Sequence, residues 1–506
     1  MLVPSAALTA SPRRSAPAYG APRASLALTA VALALATAYA IAIVGSGGDA
    51  LLLAPLIGAI VVVGVLAHPA IGLYVLFGSA ILFEQFTIEG IVPLTQSKFF
   101  VNINAYTALP IRLSIADLLI LLTLASLLVQ RLRAKGEPLR MGAFGWAILA
   151  YFSVFILGTV IGVARGGTWN ADVALAELRA PFHLCVVYFL AANLVRDRRQ
   201  LPIFMWLFVL VVVVKAVQAI FSYNDVQDLS YSLRTINSHE DVVFFGGAIA
   251  LAVVAALLGL RTGLVYALFA LLPIILIAEL VANRRVGIIA LGATLAAIVV
   301  MTLFTNPRRG ALVVALGSVA LGMYALIFWD AAGPVAEPLR ALRAVVDASA
   351  TSLVDQYSNA WREIEHQNIA YTIRQLPLTG VGVGQHYLFE REPTDIPFQY
   401  WRFITHDAVL WLWLKAGPFG AFALWFLVAR ALLVGAALYR RLDERWLRWV
   451  VTLPIALVIS QIVFSSVDLG LTYSRTMIVL GTSLGLVAFI AGQHPQPAGS
   501  DGRQTV

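Results

Sequence analysis

Apolar stretches of about twenty residues, separated by short polar loops, recur along almost the whole chain. That is the length an α-helix needs to cross the hydrocarbon core of a bilayer. Reading run by run predicts fourteen spans, near 25–44, 50–67, 69–88, 114–130, 141–163, 180–195, 201–221, 242–260, 262–282, 286–304, 310–329, 407–437, 447–466 and 475–491. Only His68-Pro69 separates the second from the third, so twelve to fourteen spans fit the pattern. Open sheets cannot span a bilayer, and the alternation of a barrel is absent. The expected fold is therefore an all-α polytopic membrane protein.

The polar positions between the runs carry a sidedness signal. QRLRAKGEPLR (130–140), RDRRQ (196–200), TNPRRG (305–310) and YRRLDERWLR (439–448) are basic and alternate with the other loops. The positive-inside rule makes them cytoplasmic, with both termini on that side. The loops 222–241 and 330–405, richer in acid than base, then face outward. The expected organisation is a cytoplasmic tail over 1–24, eleven spans over 25–329 and an outer loop with short helices over 330–405. Three spans over 406–491 and a second tail over 492–506 complete it. The first apolar run is longer than a usual signal-peptide core and reads as an anchor. Within the outer loop, Trp361, Ile364 and Tyr371 share an approximate helical face, and Pro377 ends that helix.

Composition sharpens this reading. Hydrophobic residues make up 60% of the chain and charged residues 12%, against about 25% charged in soluble domains. The net charge of +8 is spread over loops, which suits topology and contact with anionic lipid or phosphate rather than nucleic acid. The single cysteine, Cys185, allows no intrachain disulfide. No Walker A loop and no recognisable metal-ligand spacing is present, so neither metal nor cofactor is expected. The first outer loop carries only one acid, Asp49, and lacks a paired-acid pattern.

Three polar groups at the outer ends of apolar runs stand out. Asn283-Arg284-Arg285 opposes the charge rule, and arginine's planar fork suits phosphate oxygens. Arg362 lies in SNAWREIEHQ, fifteen positions before Pro377. His406 heads THDAVLWLWLKAGPFG; an imidazole near neutrality is a natural general base, and Thr405 or Asp407 is within sequence reach to orient it. Arg179 and Lys215 are second-tier candidates for contacting an anion. Snorkelling accounts for Lys215 equally well.

These motifs resemble the O-antigen ligase and O-antigen (Wzy-type) polymerase superfamily of bacterial membrane glycosyltransferases. NRRVGIIALG is similar to its Ser-Arg-Gly-like segment opening a span. WREIEHQNIAYTIRQLPLTGVGVG is similar to its arginine, helical spacer and Pro-x-x-Gly-x-Gly. THDAVLWLWLKAGPFGAFALWFL is similar to its His-Asn, apolar run and Gly-x-x-Gly. The likeness covers about 280–430, and it departs at Asp407, where the family usually has Asn, and at Val286, where it has Gly.

The resemblance implies transfer or polymerisation of a polyprenyl-diphosphate-linked glycan at the periplasmic face of the bacterial inner membrane, inverting and without metal. His406 would be the base, and Arg362 with Arg284 or Arg285 would hold the diphosphate; Arg285, at the start of the apolar run, is the preferred one. Gly382, Gly384 and Asp407 would line the substrate site. The acceptor would be a second glycan or lipid A core, with other polysaccharide-assembly membrane proteins as partners. A protein-glycosylating relative is a further branch. The alternative reading is a lipid-linked saccharide flippase or other secondary transporter, with Lys215 and Arg430 lining a path.

Overall fold

A computed structural model describes residues 53–86, 95–133, 138–226, 237–282, 284–331, 333–336, 338–340, 353–396 and 398–494, together with Thr37, Gly45 and Arg343. The expected first span, both terminal tails and Asn283 lie wholly or largely outside these residues. Contacts divide the chain after Val63, and the unit beginning at Gly64 holds the helical bundle and every candidate site residue.

All described elements are helical. In chain order they include α1 (Leu53–Ala67), α2 (Pro69–Leu82), α3 (Ile115–Arg133), α4 (Gly145–Arg165), α5 (Ala171–Leu194), α6 (Gln200–Val226), α7 (Asp241–Leu258) and α8 (Gly263–Val281). Then come α9 (Arg285–Thr305), α10 (Pro307–Phe328), α11 (Leu353–Gln375), α12 (Ala408–Ala416), α13 (Pro418–Arg441), α14 (Arg445–Ser465) and α15 (Ser474–Gln493). Eleven of the described helices are long and apolar enough to cross a membrane; α1 and α2 are shorter apolar helices. Leu312, Leu316, Val319, Leu326 and other large apolar side chains of α10 are exposed. Such a surface is stable in lipid rather than water. The chain is a multi-pass helical membrane protein.

Three differences from the sequence pattern matter for function. The expected span 407–437 is two helices, α12 and α13, because Gly417 takes φ +63° and Pro418 restarts the helix at its first position. The expected span 180–195 begins nine residues earlier, at Ala171, which puts Arg179 inside α5. The outer loop contains a 23-residue helix, α11, and Arg362 lies well inside it.

Close packing holds the bundle together where small residues face each other. A Cβ on Gly485 of α15 would fall 2.2 Å from the Ala191 Cβ of α5. This is the small-residue contact by which helices pack in lipid, where no hydrophobic effect drives them together.

Side-chain contacts define two ends. At one, Arg198 bonds Glu444 and Gln493, and Arg309 donates to the Leu257 carbonyl. At the other, Arg475 bonds Glu240 (2.9 Å) and Asp241 (2.7 Å), and Lys215 pairs with Glu84 and, at 3.2 Å, Asp241. All five of these charged side chains are essentially sealed from solvent. Single charges are costly there, and mutual pairing is what makes their burial tolerable.

Candidate functional site

The site is built on α11 and the segment that returns from it to α12. One face of α11 buries Glu365, Asn368, Ile369 and Thr372, and three of these are polar. The returning chain supplies their partners. Asn368 accepts the Glu390 and Arg391 backbone N–H groups (2.8 and 3.0 Å), and Thr372 exchanges hydrogen bonds with the Leu388 backbone (2.9 and 3.0 Å). Trp361 Nε1 donates to the Thr394 carbonyl. Trp361, Ile364 and Tyr371 are only half-buried.

This ladder delivers His406 to Glu365. The His406 backbone N–H donates to Glu365 Oε1 (3.0 Å), and its imidazole Nδ1 lies 3.2 Å from the same oxygen. Trp361 meets the imidazole edge-on at 5.1 Å between centroids, and Phe398 at 6.3 Å. Nε2 makes no hydrogen bond to any described residue, and the side chain is 21% exposed. Glu365 has no place in the sequence motif, yet it is the group that orients the imidazole.

The two expected orienters do other work. Thr405 donates its hydroxyl to the Asp407 carbonyl. Asp407 caps α12 by accepting the Val409 and Leu410 N–H groups (3.1 and 2.9 Å), and its other oxygen faces His366 Nε2 at 3.4 Å. That contact, more than the burial opposing it, raises the His366 pKa.

A second imidazole stands close by. His239, just before α7, holds its Nδ1 3.0 Å from Asp468 Oδ2. Asp468 sits between α14 and α15 and also accepts the Tyr473 hydroxyl (2.9 Å) and the Leu469 N–H (2.7 Å). Burial alone would raise the Asp468 carboxyl, but His239, Arg284 and His406 outweigh it and hold the group well below the usual range. His239 moves down, chiefly through burial and then through Arg284. Sequence reasoning missed both residues. The only signal was an acidic or titratable residue in loops that the charge rule assigns to one side.

The arginines close the group. Arg284 caps α9, and its charge acts on Asp468, Tyr473, Arg362, Glu240 and His239. Burial lowers its pKa first, Asp468 and Tyr473 oppose that, and Arg362 lowers it further. Arg362 is half-buried and makes no hydrogen bond or ion pair with any described residue. Two guanidinium groups held within each other's field repel unless an anion lies between them. The Arg284 charge acts within this group, and Arg285 is the first residue of α9.

The remaining candidates lie in separate contacts. Arg179 bonds Asp117 (3.2 Å), Asn102 (2.6 Å) and the Arg112 carbonyl, beside a His183–Asp117 pair at 2.7 Å. Lys215 belongs to the sealed ion cluster. Arg430 donates to the Ala143 carbonyl. Gly382 and Gly384 thread a buried loop between α4 and α5: the Val383 N–H donates to Gly158, and the Gly384 N–H to Glu177. Glu177 in turn pairs with Lys415 of α12 at 2.8 Å. These glycines serve packing, since a Cβ on Gly382 would fall 2.4 Å from the Gly162 nitrogen.

Fold and site together define a polytopic helical membrane protein with the His406–Glu365 and His239–Asp468 pairs and the arginines Arg284 and Arg362 gathered at one end of its bundle. Neither the known protein-family models nor the curated protein sequences give a match to this chain.

Proposed function

We propose that the protein is a membrane glycosyltransferase of the O-antigen ligase and polymerase type, acting on a polyprenyl-diphosphate-linked glycan. The observation that carries this reading is Arg362. It is a half-buried guanidinium without a protein partner among the described residues, its charge acts on Arg284, and it stands one turn before Glu365 on α11. A pair of arginines suits a diphosphate, and an imidazole with Nε2 open suits a hydroxyl that must lose its proton.

The chemistry follows from these positions. Glu365 accepts the Nδ1–H of His406, which leaves the Nε2 lone pair to take the acceptor hydroxyl proton. The acceptor oxygen attacks the anomeric carbon as the bond from that carbon to the diphosphate oxygen breaks, with inversion. Electrons and negative charge pass to the diphosphate, which Arg284 and Arg362 stabilise. The charge rule supports a site on the outward face, because Arg196, Arg198, Arg308, Arg309, Arg440 and Arg441 lie at the opposite helix ends. The family resemblance makes that face the periplasmic side of a bacterial inner membrane. The transporter reading finds less support: Lys215 is sealed in ion pairs, and Arg430 donates through Nε to a backbone carbonyl.

Purified protein incubated with a polyprenyl-diphosphate-linked donor, a lipid A core or glycan acceptor and EDTA tests the reading. A new glycosidic bond, lost in His406→Ala and Arg362→Ala, is expected. No bond with any acceptor, together with lipid translocation in liposomes, overturns it. In a deletion strain, single-repeat glycan on lipid A marks a polymerase, and long glycan left on the carrier marks a ligase.

A further inference from the structure

His239 and Asp468 have no part in the proposed transfer chemistry, yet their geometry repeats that of His406 and Glu365. In both pairs a buried carboxylate takes Nδ1, and Nε2 makes no hydrogen bond to any described residue. Asp468 is held by three hydrogen bonds, from His239, Leu469 and Tyr473, which restrains the imidazole it meets. The side chain is partly buried, at 36% exposure, and Nε2 is not sealed from solvent. Gly287 of α9 packs against Val242 of α7, so the helix starts that carry Arg284 and His239 adjoin, and the Arg284 charge acts on His239.

We propose that His239 is part of the diphosphate subsite and takes up a proton at Nε2 when the diphosphate binds. This rests on the reading of Arg284 and Arg362 as diphosphate ligands. The groups around His239 set the direction. Arg284 and His406 disfavour the imidazolium, while Asp468 favours it. Glu240 and Asp241 adjoin it in sequence, but both are bound to Arg475. Tyr473 shares Asp468, and Arg362 acts on Arg284. Burial and Arg284 keep the free site's imidazole neutral at pH 7.5. A diphosphate carries negative charge to Arg284 and Arg362 and tips the balance toward imidazolium. The proton comes from bulk solvent and forms only an N–H bond. The resulting N–H donates to a phosphate oxygen and gains strength as charge grows on the leaving diphosphate. The proton returns to solvent when the product leaves.

Farnesyl diphosphate serves as a soluble probe of the product's head group. Calorimetric titration in detergent at pH 7.5, in two buffers of different ionisation heat, reads proton uptake directly. The wild type is expected to take up close to one proton, so that affinity falls about tenfold per pH unit in that range. His239→Gln, which keeps a donor toward Asp468, is expected to take up none and to bind about tenfold or more weakly. His406→Ala is expected to retain the uptake. Zero uptake by the wild type, or unchanged uptake in a His239→Gln that unfolds at the wild-type temperature, overturns the proposal. If Arg284→Ala and Arg362→Ala still lose binding in that case, the diphosphate reading stands alone. Absence of binding to the wild type overturns this subsite, and the glycan-transfer assay then decides whether the reading falls with it.

Discussion

His406 and Glu365 meet twice through one oxygen: the backbone N–H and the imidazole Nδ1 of His406 both converge on Glu365 Oε1. The second oxygen, Oε2, is buried and accepts no hydrogen bond from the described residues. Such a carboxylate stabilises an imidazolium more than a neutral ring, so its benefit grows as His406 takes a proton. Glu365→Gln preserves volume but presents an amide that donates to Nδ1 as readily as it accepts. Where the amide donates, the imidazole carries its proton on Nε2 and cannot act as base; where it accepts, the charge that stabilises the imidazolium is gone. Transfer is expected to fall by about 10²–10⁴, with donor KM nearly unchanged. Single-turnover transfer assays check this. Unimpaired chemistry in Glu365→Gln would remove Glu365 from the mechanism.

Arg284 and Arg362 repel each other in the free protein. Each is expected to cost about 10²–10³ in transfer rate when replaced by alanine. Their effects are not independent, since both act on one diphosphate, and the double variant should lose less than the product of the two losses. A side effect distinguishes this role from a structural one. Removing Arg362 relieves repulsion, so unliganded Arg362→Ala should melt no lower than wild type. A lowered melting temperature in that variant would point to packing instead.

The sequence made the bundle legible because a bilayer forces backbone polar groups to be satisfied within each span, leaving long apolar runs as an unmistakable signature. Polar residues at run ends, Arg284 and His406 among them, stood out for the same reason. Glu365 did not, because it sits in a helix where Glu363 is equally acidic and only the returning backbone decides which face is buried. His239 and Asp468 meet across more than two hundred positions, a contact that no local spacing encodes. The break at Gly417 was hidden by continuous hydrophobicity on both sides, although Gly417-Pro418 is itself a breaker signal.

Gly382 separates a packing role from a ligand role. It has φ +98°, and a Cβ there would meet the Gly162 nitrogen and Cα at 2.4 and 2.5 Å, both backbone atoms that cannot move aside cheaply. Gly382→Ala is expected to destabilise the protein by about 1–3 kcal/mol through overpacking. The folded fraction should still bind farnesyl diphosphate with wild-type affinity. Thermal unfolding and titration on the same sample separate the two effects. Normal stability with weakened binding would restore the loop to the substrate site.

Asp407 carries two contacts that one substitution divides. Asn is as good a helix cap as Asp, so Asp407→Asn keeps the acceptor for Val409 and Leu410 and loses only the charge facing His366. Asp407→Ala loses both, and the missing cap is expected to cost about 1 kcal/mol. The charge contact has its own pH signature. The folded-state pKa of His366 lies above its ordinary value of 6.5, chiefly through Asp407. A raised pKa means that the folded protein holds the proton more tightly. The contribution is therefore complete below pH 6.5 and disappears as pH rises through the folded value. Wild type should exceed Asp407→Asn in melting temperature at about pH 6 and converge with it at high pH, whereas the deficit of Asp407→Ala should persist at both. His366 is 44% exposed on its side chain, so solvent screening keeps the pH-dependent part small. A wild-type advantage over Asp407→Asn that grows with pH would contradict the assigned pairing.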